Sequence, residues 1–111
     1  MALPNIPVHI RKIGINQDNV FHDIEDYETF YNFMKSTSQK LEIKIYAYVI
    51  LKDSFEFIVS SSVEENISKF MQILGRQYVL HYNKKYNRTG TIWEGRYKSS
   101  LVEKETFLSK V

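Results

Sequence analysis

Two β-rich runs stand almost end to end in the middle of the chain. Leu41 to Leu51 is dense in Ile, Val and Tyr. In the run Phe55 to Ser60, alternation puts Phe55, Phe57 and Val59 on one face and Ser54, Glu56 and Ile58 on the other. Lys52-Asp53 joins the two runs as a tight connection. A link so short makes them an antiparallel hairpin.

A helical pattern flanks the hairpin on each side. Before it, Asp23 is placed to cap a helix whose first turn carries Glu25, Asp26 and Glu28, well sited against the helix dipole. Tyr27, Phe30, Tyr31 and Met34 form its apolar stripe, and the pattern fades at Ser36 to Gln39. After the hairpin, Ser62-Val63-Glu64-Glu65 reads as a capping box. Ile67, Phe70, Met71, Leu74, Tyr78 and Tyr82 then recur at helical spacing until Asn87 to Gly90 breaks the pattern. A short strand, Val8 to Ile13, precedes all this and ends at Gly14. Arg96 to Val102 reads as a last strand, and Glu103 onward, with Phe107 and Leu108, as the start of another helix. The order β-α-β-β-α-β predicts a ferredoxin-like α+β domain, with an antiparallel sheet and both helices on one face. A chain of 111 residues has room for one such core, so residues 1–111 are read as a single domain.

Composition narrows the chemistry. With no cysteine, disulfides, thiolate metal sites and a cysteine nucleophile are excluded, which suits a reducing compartment. No apolar run approaches the ~20 residues that span a bilayer. The N-terminus MALPNIPVHIRK lacks a signal-peptide layout. A cytoplasmic protein without a membrane partner is expected. His9, His22 and His81 form no metal-binding spacing, and neither a phosphate-binding glycine loop nor a serine nucleophile elbow is present.

Charge is unevenly spread. Residues 1–68 hold 6 Lys/Arg against 10 Asp/Glu, whereas residues 69–98 hold 7 against the single acid Glu94. That basic block also carries Tyr78, Tyr82, Tyr86, Trp93 and Tyr97. Cations that track phosphates among rings that stack on bases suit a single-stranded polyanion.

Three stretches carry a family signature: Tyr48-Val49-Ile50-Leu51-Lys52-Asp53-Ser54-Phe55-Glu56-Phe57-Ile58-Val59, Asn66-Ile67-Ser68-Lys69-Phe70-Met71-Gln72, and Gly90-Thr91-Ile92-Trp93-Glu94-Gly95-Arg96-Tyr97-Lys98-Ser99. In this order they resemble the single-tyrosine transposases of the His-hydrophobe-His class, in particular the insertion-sequence branch and the branch associated with repetitive extragenic palindromes. The resemblance implies binding of single-stranded or hairpin DNA. It also implies two histidines holding Mg²⁺ or Mn²⁺ on the scissile phosphate, and a tyrosine from a later helix as nucleophile.

The chain departs from that pattern where the chemistry is done. Ser54 and Glu56 stand in place of the two histidines, with Phe55 between them as the buried hydrophobe. The resemblance puts the tyrosine-bearing helix beyond Val111. No catalytic residue, metal site or cofactor is therefore assigned; Mg²⁺ or Mn²⁺ belongs to the family pattern.

Arg76, Lys84, Lys85, Arg88, Arg96 and Lys98 are the candidate phosphate contacts, with Arg11 and Lys12 second to them. Trp93 is placed either to stack on a base or to close the core, and Gly90 and Gly95 to allow backbone turns. The expected function is a transposase-like domain that binds single-stranded or hairpin DNA, related to transposition, without strand cleavage. Two alternatives stand beside it. One is a dimerisation or scaffold module on the same fold, the other an active transposase with an unusual Ser54/Glu56 metal site. A homodimer is possible through the open edges of the sheet.

Overall fold

The structure, a computed structural model, describes residues 4–101. Four strands and two long helices follow the expected order: β1 (Val8–Ile13), α1 (Ile24–Lys40), β2 (Lys44–Leu51), β3 (Ser54–Ser60), α2 (Asn66–Tyr86) and β4 (Lys98–Leu101). The sheet runs β2-β3-β1-β4, and every neighbouring pair is antiparallel. This is the ferredoxin-like α+β arrangement. Among the described residues no helix is long and apolar enough to cross a membrane.

Strand alternation decides which face becomes the core. Val8 and Ile10 on β1, and Phe55, Phe57 and Val59 on β3, are buried. Both helices cover that face. Phe30 of α1 packs 4.7 Å from Phe55, ring centroid to centroid, and Phe70 of α2 packs 5.7 Å from Phe57. Phe21, Tyr78 and Trp93 complete the aromatic cluster. Burying each of these rings contributes on the order of 1.5–3 kcal/mol.

Residues 91–97 form an arm sewn to the end of β1. Ile15 N–H donates to the Ile92 carbonyl at 2.9 Å, and Glu94 N–H to the Ile13 carbonyl at 2.8 Å. Gly14 sits at the junction, where its N–H donates to the Asp53 carbonyl at 2.8 Å. A Cβ there would lie 2.4 Å from the Asp18 carbonyl oxygen, so only glycine fits. The arm turns at Gly95, whose φ of 58° lies in the left-handed region.

Several boundaries differ from the sequence reading, among them β3, which starts at Ser54 rather than Phe55. Helix α1 does not fade over Ser36 to Gln39 but runs to Lys40, because Thr37 and Ser38 are buried and hydrogen-bonded. Strand β2 consequently starts at Lys44, after a turn in which Glu42 takes a φ of 55°. The Ser62–Glu65 capping box does not form. Helix α2 starts at Asn66 without a side-chain cap, and the Ser61 hydroxyl instead accepts from Val63 N–H at 3.1 Å. Strand β4 begins at Lys98 rather than Arg96, since the arm holds the residues before it. Val102 and the helix expected from Glu103 lie outside the described residues.

Candidate nucleic-acid interface

Ser54 and Glu56 lie on the sheet face away from the helices. Antiparallel register puts Arg11 of β1 opposite Glu56, with His9 two residues along on the same face. Glu56 Oε1 lies 2.7 Å from His9 Nε2, and Oε2 lies 3.8 Å from Arg11 Nε. Ser54 is fully buried and donates its hydroxyl to Asp53 Oδ1 at 3.2 Å. Lys98 of β4 pairs with Arg11 from the other side, so two cations meet on this face beside the carboxylate.

On the helix side, the arm and α2 enclose a groove. One part, about 540 Å³, is lined by Lys12, Ser68, Gln72, Arg96, Tyr97 and Ser99 together with Met71. A second part continues it past Lys12 to Arg76, Thr91 and Trp93. Among the described residues no acidic side chain lines either part. Lys12 follows Val8 and Ile10 in the inward phase of β1, so its stem is half-buried and its ammonium emerges at the groove. The ammonium donates to the Gly95 carbonyl at 2.6 Å, and burial lowers its pKa. Tyr97 closes one end, its hydroxyl 3.0 Å from Ser68 Oγ. Beyond that closure a smaller hollow carries Glu64 and Glu65, so the basic character ends there.

The last turns of α2 meet the first turn of α1 in a polar cluster. Asp26 is fully buried. Its carboxylate accepts from Tyr86 Oη at 2.5 Å, His22 N–H at 3.0 Å and Lys85 Nζ at 3.0 Å, and lies 2.9 Å from His81 Nε2. Burial alone would raise the pKa of this carboxyl, but these hydrogen bonds outweigh it and hold it well below the usual range. Burial and the bond to Asp26 push Tyr86 up to about 12, which keeps its hydroxyl protonated. Asp23, Glu25 and Asp26 bring carboxylate oxygens within 4.8 Å of one another, a spacing that suits a cation. The Lys85 ammonium is that cation, 2.6 Å from Glu25 and 2.8 Å from Asp23.

The family model described as "Transposase IS200 like" matches residues 2–110. The chain belongs to the IS200-like transposase family. Among solved structures it resembles a REP-associated tyrosine transposase bound to a REP hairpin, with 11% identity and a TM-score of 0.78 over 100% of this chain. The chain spans 65% of the length of that protein. It also resembles a transposase from Deinococcus radiodurans R1, with 13% identity and a TM-score of 0.70, over 95% of this chain and 85% of the other. At these identities the likeness is one of fold. No match was found among curated proteins.

In this member of the family the candidate cations divide into groups. Arg76 and Arg96 reach the groove. Lys98 lies on the open sheet face beside Arg11. Lys84 is exposed near the end of α2. Arg88 is exposed, with its guanidinium 5.7 Å from the centre of the Tyr82 ring. Lys85 is held by three carboxylates. Trp93 closes the core, donating Nε1–H to the Gly75 carbonyl at 3.2 Å.

Two features outran the sequence reading. Lys12 proves central to the groove, and its signal was a cation in the buried phase of an otherwise apolar strand. The His9–Glu56 pair joins β1 to β3, and only the register of the sheet reveals it.

Proposed function

We propose that this transposase-family domain binds single-stranded or hairpin DNA through the groove between α2 and the arm. The observation that carries the reading is the convergence of Lys12, Arg76 and Arg96 on one groove that no acidic side chain among the described residues lines. Phosphates need such a row of cations, and an acid-free lining spares them repulsion. Arg11 and Lys98 extend the positive surface around the β4 edge, while Lys84 and Arg88 extend it along α2. The REP-associated relative is described as bound to a REP hairpin, which supports the choice of ligand.

Strand cleavage is not part of the proposal. The donor set at the family's metal position does not fit Mg²⁺ or Mn²⁺. Ser54 offers a neutral hydroxyl that is buried and turned to Asp53. Both Glu56 oxygens face basic groups, His9 and Arg11. A hard dication takes several oxygen ligands in open geometry, and this pair of residues supplies one contested carboxylate.

The test is fluorescence anisotropy of a labelled DNA hairpin at several salt concentrations, with unlabelled duplex as competitor. Expected is an affinity that falls linearly in log–log with salt, about one unit of slope per phosphate contact, and a preference for hairpin over duplex. Absence of binding at low salt overturns the reading and favours a scaffold role.

A further inference from the structure

The rings of the basic block are mostly unavailable for stacking. Tyr78 and Trp93 are in the core, and Tyr82 and Tyr86 are half-buried with their rings packed on each other, centroids 4.6 Å apart. The broadly exposed tyrosines lie instead at the opposite edge of the sheet. Tyr31 of α1 is 39% exposed, and Tyr46 and Tyr48 of β2 are 37% and 49% exposed.

These three rings line one hollow of about 430 Å³ between α1 and β2, within the size range of small-ligand sites. Tyr31 and Tyr48 stand 5.9 Å apart, tilted by 47°, and Met34 and Ile45 add apolar contact. Lys35 also lines the hollow, and among the described residues no carboxylate does. Lys44 lies 5.2 Å from the centre of the Tyr46 ring, adding a second cation at the rim.

We infer that this hollow is a second nucleic-acid site, where an unpaired base stacks on the exposed faces of the tyrosine rings with its phosphate near Lys35. Rings beside cations, without acids, match a single strand. A peptide strand added to β2 fits less well, because the ladder is irregular between Ile45 and Ala47 and such a bulge turns an edge away from pairing. The choice of DNA as ligand rests in part on the function proposed above, but the site is a different one, on the far flank of the helix layer.

The experiment uses a single-stranded oligonucleotide carrying a fluorescent adenine analogue, beside a hairpin with no unpaired tail. Expected is quenching of the analogue by the native protein. The double variant Y31A/Y48A should lose that quenching and bind the single strand about tenfold more weakly, with hairpin binding unchanged. The pair Y31F/Y48F should keep both. Undiminished quenching in the alanine pair, equal loss in the phenylalanine pair, or displacement of the oligonucleotide by a proline-rich peptide overturns the inference. Circular dichroism checks that the variants fold. Lys35→Glu provides a second test on the surface, where unchanged single-strand affinity also overturns it. Quenching of the single strand without hairpin binding would sink the groove reading and leave this one standing.

Discussion

Tyr86 and Asp26 are joined by a 2.5 Å hydrogen bond that ties the last turn of α2 to the first turn of α1. The bond is one of several on a carboxylate with no solvent exposure. Removing that charge strands its donors. Asp26→Asn is expected to destabilise the fold by about 3 kcal/mol, read as the change in urea midpoint at constant slope.

Acid should act through the same carboxyl. Its folded pKa lies far below the ordinary value of about 3.9, so its contribution is complete above that pH. The contribution is lost as pH falls from there toward the folded pKa. A series of thermal melts should therefore show the melting temperature dropping below about pH 4, and Asp26→Asn should flatten that drop. An equally steep drop in the variant would assign acid sensitivity elsewhere.

Trp93 is the only tryptophan and lies in the core beside Phe55 and Tyr78. Its emission should be blue-shifted, and because its edge lines the groove, DNA bound there should change that emission. Trp93→Ala should cost about 3–5 kcal/mol of stability. Emission that ignores added DNA while binding is seen by anisotropy would place the ligand away from this part of the groove.

Arg96 and Lys85 carry the same charge to different ends. Arg96→Ala should reduce the salt slope of DNA binding by about one unit and leave the thermal midpoint in place. Lys85→Ala should do the reverse, keeping the slope and lowering the midpoint, because its ammonium is bound to Asp23, Glu25 and Asp26. Paired titrations and melts of the two variants check both halves.

Much of the fold was legible because its periodicities were clean. Val8 to Ile13 forms a strand with those limits, and Asp23 caps α1 through its Oδ1, 3.0 Å from Asp26 N–H. Errors clustered at the ends of elements, where tertiary contacts outweigh local preference. Thr37 and Ser38 look like helix breakers in isolation, yet burial beneath the neighbouring helix keeps them helical. The candidate site was less legible. A count of cations cannot tell Arg76, open to a groove, from Lys85, enclosed by acids brought in from residues 23–26. Nor does a count of aromatics distinguish a ring that packs from one that waits at the surface.

The position of β1 between β3 and β4 has a consequence for synthesis. Val8 is among the first described residues to leave the ribosome, and its partner Leu101 among the last. The groove wall built from the arm and β4 cannot close until residue 101 has emerged, so the loop it seals spans most of the domain. A nascent chain of this kind can assemble the α1–β2–β3 portion early. The groove proposed to hold DNA is thus completed later than the hollow between α1 and β2, so the two surfaces form in succession as the chain emerges.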